Sequence, residues 1–112
     1  MEYGIGDWEG LSSAFVDMFQ GLGEVESDES RLEFISFPSD VATGIFISRD
    51  GSLIANMPLH GIDSRFERAI FDDRKESIRL IGPDTDYTYR VPPAILQRRG
   101  RLRGLGRLWR LR

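Results

Sequence analysis

Residues Arg31 to Met57 read RLEFISFPSDVATGIFISRDGSLIANM, and this stretch decides the fold. Runs of β-branched and aromatic side chains are cut by Pro38-Ser39-Asp40 and by Arg49-Asp50-Gly51, the pattern of short strands joined by turns. Strands are expected over Arg31–Phe37, Thr43–Ser48 and Ser52–Met57, and Asp50-Gly51 is the strongest hairpin signal in the chain. The same texture resumes at Ser64–Phe71, Ser77–Ile81 and Asp86–Val91, connected by Asp72-Asp73-Arg74-Lys75 and Gly82-Pro83-Asp84-Thr85. Connections this short make neighbouring strands antiparallel.

The two sets of strands also resemble each other. Shifted by 34 residues, Ser30, Arg31, Glu33, Phe37, Ile47, Asp50 and Pro58 fall on Ser64, Arg65, Glu67, Phe71, Ile81, Asp84 and Pro92, with no gap. An internal repeat of two three-stranded meanders, residues 31–57 and 64–91, is therefore expected. One meander alone leaves an open apolar face, whereas two and a helix can close a core.

Working outward to the N-terminus, Ile5, Trp8, Leu11, Phe15, Met18, Phe19 and Leu22 recur at three- and four-residue steps. That spacing predicts an amphipathic helix over about Asp7 to Gln20, capped by Asp7 and ended by Gly21 and Gly23. Glu24 to Ser30, EVESDES, reads as a solvated acidic linker. The fold class expected is α+β, predominantly β. The helix packs on a six-stranded antiparallel sheet or small barrel, residues 1–97 form one domain, and residues 98–112 form a basic tail.

Composition narrows the chemistry. A chain of 112 residues supports one small core. With no cysteine there are no disulfides or thiolate ligands, and with one histidine, His60, metal and acid–base sites have little to draw on. His60 is read as a loop residue, and no metal or cofactor is expected. Asp84-Thr85-Asp86 lacks the glycine and glutamate of a calcium loop, since Tyr89 and Ile95 stand at those positions. Asp72-Asp73 is read as a solvated turn. Ser12, Ser13 and Ser64 have no base partner besides His60, and no Gly-x-Ser-x-Gly or phosphate loop occurs, so no enzymatic activity is expected.

No run free of charge exceeds Gly51 to Ile62, well short of the roughly 18 apolar residues of a membrane span. The start, Met-Glu-Tyr, lacks the basic region of a signal peptide, and a cytoplasmic location is expected.

The net charge of −3 conceals two unlike parts: residues 1–97 carry −10, and residues 98–112 carry seven arginines and no acid. One lysine against 14 arginines, on an acidic body, fits either a GC-rich genome or a halophile. The tail, QRRGRLRGLGRLWRLR from Gln97, is the strongest functional signal. Arg98, Arg99, Arg101, Arg103, Arg107, Arg110 and Arg112 offer bidentate phosphate donors, and Trp109 offers a face on which a base can stack. RNA or single-stranded nucleic acid is the expected partner. Three other readings stand beside it: an anionic membrane surface or acidic protein, a clasp onto the chain's own acidic body, and an extension of little consequence. Tyr87 and Tyr89 share one side of a strand. They form an aromatic platform if that side meets solvent and core packing if it does not.

Residues 62–95, IDSRFERAIFDDRKESIRLIGPDTDYTYRVPPAI, carry a family likeness. Ser64, Phe71-Asp72 and Tyr87-Thr88-Tyr89-Arg90-Val91-Pro92 resemble the serine start, the Tyr/Phe-Asp turn and the Tyr-x-Tyr-x-x-Val-Pro segment of the KTSC family of small domains. One residue, not two, separates Tyr89 from Val91, and an arginine-rich tail follows Pro93 where that family has a helix. The resemblance implies a small β-rich module that stands alone or accompanies other proteins, lysyl-tRNA synthetases among them. It carries over no catalytic residue.

Overall fold

The structure is a computed structural model and describes residues 1–57 and 60–99. In chain order it runs β1 (Glu2–Gly4), α1 (Trp8–Phe19), β2 (Gly23–Ser27), β3 (Arg31–Ser36), β4 (Gly44–Ser48), β5 (Ser52–Met57), β6 (His60–Arg65), β7 (Arg68–Phe71), β8 (Ser77–Gly82), β9 (Thr85–Arg90) and a short helix α2 over residues 93–99. All sheet neighbours are antiparallel. They form two sheets: β2-β3-β4-β5-β6, and β1-β7-β8-β9. The expected single six-stranded sheet, or barrel, is thus two open sheets of five and four strands.

Helix α1 forms where the periodicity places it. The Asp7 carboxylate accepts a hydrogen bond from the Gly10 amide at 3.1 Å, and Gly21, at φ 81°, takes the left-handed turn after the last helical residues. Its buried stripe is Trp8, Leu11, Phe15, Met18 and Phe19. Phe19 stacks on Phe34 of β3 with ring centroids 4.3 Å apart and meets Tyr89 of β9 edge-on at 6.0 Å, so one helical side chain joins both sheets. The Trp8 indole donates to Asp28 O at 3.1 Å and ties the β2–β3 turn to the helix.

Three segments differ from expectation, each for a physical reason. Glu24–Ser30 is not a linker: Gly23–Ser27 is an edge strand in which half-buried Val25, paired with Phe34, alternates with exposed Glu24 and Glu26. The expected strand Ser64–Phe71 is two strands in different sheets. The Phe66 amide bonds to Gly51 O on the first sheet and the next amide, Glu67, to Ile81 O on the second, both at 2.8 Å. A buried Phe66 anchors this step between sheets. His60 opens strand β6, paired with Met57, and is not a loop residue.

The repeat also loses its phase. The β4–β5 turn spans Arg49-Asp50-Gly51, with Gly51 at φ 96°, whereas Gly82 pairs with Thr85 across a two-residue turn. Under the 34-residue shift Leu53 and Ala55 fall on Tyr87 and Tyr89 in phase, but buried Ile45 falls on exposed Arg79. Inward sides therefore coincide in one strand pair and oppose in the next.

Candidate functional site

The first two arginines of the tail belong to α2 and are engaged by the body. Arg98 holds Asp40 through two hydrogen bonds, Nε at 2.7 Å and an Nη at 3.1 Å, and its guanidinium carbon sits 4.7 Å from the centre of the Phe37 ring. Asp40 in turn raises the Arg98 pKa. Arg99 donates to Met18 O and Lys75 O at 2.6 Å and to Arg74 O at 3.2 Å. Helix α1 has no basic residue in its last turn, and Arg99 supplies that charge to a carbonyl there from 81 residues away. One turn earlier in α2, buried Ile95 enters the core. Arg101, Arg103, Arg107, Trp109, Arg110 and Arg112 lie outside the described residues.

Tyr87 and Tyr89 do not make a platform. They share the inner side of β9, where Tyr89 is fully buried and Tyr87 is half-buried against the core. Burial pushes the Tyr89 hydroxyl up to about 12, against a hydrogen bond with Thr43 that lowers it, with nearby Tyr87 adding to the rise. Arg79 on the opposite side of the sheet is held by Asp86, Nε to Oδ1 at 2.8 Å and Nη to Oδ2 at 2.6 Å.

The strands expose a different surface. In the five-stranded sheet Leu32, Phe34, Ile45, Ile47, Leu53 and Ala55 face the core. The intervening positions form rows on the outer side. Register aligns Glu26, Glu33, Phe46, Ile54 and Asp63 across the five strands, and next to them Glu24, Ile35, Gly44, Asn56 and Gly61. Phe46 is directly opposite Ile54, and Ile35 lies on their diagonal, within reach of side-chain contact. With no side chain at Gly44, Ile35 leans over it: its Cγ1 is 3.8 Å from where a Cβ would be. Ile35 is 38% and Ile54 44% exposed, and Phe46 is half-buried. This apolar centre is flanked by Glu24, Glu26, Glu33 and Asp63, none of which is in an ion pair among the described residues. Arg31 and Arg65 stand at the β4–β5 end, facing Ser48 and Ser52 in the ladders.

A sequence signal for this face exists. Ile45-Phe46-Ile47 and Leu53-Ile54-Ala55 are continuous apolar runs, whereas a strand wetted on one side alternates.

Elsewhere, a cleft of about 590 Å³ beside α1 is lined by Tyr3, Ser13, Asp17, Phe71, Asp73 and Lys75 among others, and Lys75 pairs with Asp17. No group of three His, Asp or Glu side chains among the described residues is placed to hold a metal ion, and no helix among them is long and apolar enough to cross a membrane. No family model, curated protein or solved structure matches the chain.

Proposed function

We propose that the protein is a small, non-enzymatic interaction module that docks a basic protein segment bearing aliphatic or aromatic side chains on the outer side of its five-stranded sheet. The observation that carries this reading is the continuous Ile35-Phe46-Ile54 centre flanked by four carboxylates that are in no ion pair among the described residues. Apolar contact supplies the affinity and the carboxylates favour a basic partner over an acidic one. The KTSC likeness of residues 62–95 is part of the same proposal, since it implies a small β-rich module and carries over no catalytic residue. In an NMR titration of a full-length variant with Leu102, Leu105, Leu108 and Trp109 changed to Ser, a short arginine- and leucine-bearing peptide should shift amides chiefly at Ile35, Phe46 and Ile54. Ile54→Lys should suppress these shifts. Shifts confined to β8 and β9, or absent at millimolar peptide, would remove this reading.

A second reading, contact of the tail with RNA or single-stranded nucleic acid, is favoured by one observation. Arg98 and Arg99 are engaged by the body, and the sequence from Gly100 onward still carries five arginines and no acid. Its cytoplasmic setting belongs to this reading. With Arg98 and Arg99 engaged by the body, five arginines remain for phosphates, and the slope of log K against log salt on a single strand should be about −3.5. Retention on single-stranded RNA that survives removal of residues 101–112 would exclude it.

A further inference from the structure

We infer that the occupant of the outer sheet face is the chain's own C-terminal segment, residues 100–112, held in cis. This rests on the docking reading above and names the partner. The segment reads GRLRGLGRLWRLR: five arginines, four leucines, one tryptophan and no acid. The face presents the complement, Ile35, Phe46 and Ile54 flanked by Glu24, Glu26, Glu33 and Asp63. The segment's charge is all positive, and the side chains that flank the apolar centre are carboxylates, with Arg31 and Arg65 confined to the β4–β5 end of the face.

The tether points the same way. Arg98 is fixed to Asp40 and Phe37 in the β3–β4 connection, the end of the sheet at which Ile35 pairs with Gly44. The 13 residues that follow Arg99 reach up to about 43 Å when extended, while five strands span only about 19 Å. A short tether of this kind holds its segment at an effective concentration of about 1 mM. A segment whose free peptide binds at about 0.1 mM is then about 90% docked, so attachment in cis outcompetes a second copy at ordinary concentrations.

Trp109 reports the state, because the other tryptophan, Trp8, is only 5% exposed and resists quenching. In acrylamide quenching of the full chain, Trp109 should be about fivefold less accessible than in the synthetic peptide 100–112, independently of protein concentration. Ile54→Lys and Glu33→Lys, both at non-buried outer positions, should each restore most of that accessibility. Trp109 as accessible as in the peptide, or unchanged in both variants, overturns the inference. Protection that grows with concentration together with a dimer in light scattering also overturns it, in favour of a second copy. A full-length variant with Leu102, Leu105, Leu108 and Trp109 changed to Ser separates the two levels. If added peptide 100–112 shifts its Ile35, Phe46 and Ile54 resonances while Trp109 of the native chain is unprotected, the docking reading stands and the cis inference falls. If the peptide leaves those resonances unmoved, both fall.

Discussion

The Tyr89 hydroxyl lies 2.7 Å from the Thr43 hydroxyl and is the side-chain hydrogen bond that joins the edge strand of the four-stranded sheet to the head of β4 in the other. Thr43 donates its proton to Asn56 O at 2.7 Å, so Tyr89 is the donor in the pair. Thr43 also receives the Ser36 hydroxyl as acceptor for its amide, at 3.0 Å. A small polar cluster, fully bonded, is thereby kept inside an otherwise apolar junction.

Its titration sets an alkaline limit on stability. The Tyr89 pKa is raised to about 12 in the fold against an ordinary value near 10. A raised pKa means that the protonated fold is favoured in full below pH 10, and the advantage is lost as pH climbs through 12. Roughly 2 kcal/mol should disappear over that window. Denaturant melts at pH 9 to 12 check this. Tyr89→Phe should cost about 1 kcal/mol at neutral pH and should flatten the alkaline decline.

Phe19 is the packing hub of the two sheets. Phe19→Ala removes its contacts with Phe15, Phe34 and Tyr89 and should cost about 3–5 kcal/mol. That is a large part of the stability of a domain this size. A thermal or urea melt of the variant within 1 kcal/mol of the parent, on the same scale of core truncation, would place Phe19 outside the core.

Arg98 and Asp40 act as one unit in holding α2. Arg98→Gln and Asp40→Asn should each lower the melting temperature, and the double variant should lower it by less than the two losses together. Simple additivity would show that the pair contributes nothing as a pair.

Acid stability follows from the turns. Hydrogen bonds from Ser30 and Arg31 hold the Asp28 carboxyl below its ordinary range, and Ser52 does the same for Asp50. For Asp72 burial acts upward, and the amides of Ser77, Glu76 and Arg74 outweigh it. For each, the stabilisation is present above the unfolded pKa of about 4 and is lost as pH falls through the lower folded value. Melting temperature should therefore drop steeply below about pH 4, and Asp28→Ala together with Asp72→Ala should make that drop shallower. An unchanged acid limb would remove these turns from the account.

Much of the architecture is legible in single residues of the sequence. Asp7, the Trp8-to-Phe19 spacing and the Asp50-Gly51 turn each act through neighbours a few positions away, and local rules apply to them. What escapes is decided across the chain. β1 is three residues long and pairs with β7, some 66 residues on, so nothing near Glu2 announces it. The break at Phe66 depends on Gly51 and Ile81 competing for successive amides. At the candidate site, the arginines were legible as charge and Tyr87 and Tyr89 as a shared side. Which of these faced inward depended on the second sheet, and Ile35, Phe46 and Ile54 become a single patch only once three strands are in register.

The pairing of Glu2, Tyr3 and Gly4 with Ile70, Ala69 and Arg68 bears on how the chain is made. A ribosome adds roughly 5–20 residues per second, so the N-terminal strand waits several seconds before the strand it borders exists. During that interval the apolar stripe of α1 has the five-stranded sheet to cover, β2 and β3 first. Pairing of β1 with β7 then completes the four-stranded sheet across some 66 residues of chain, and non-local closure of this kind slows folding.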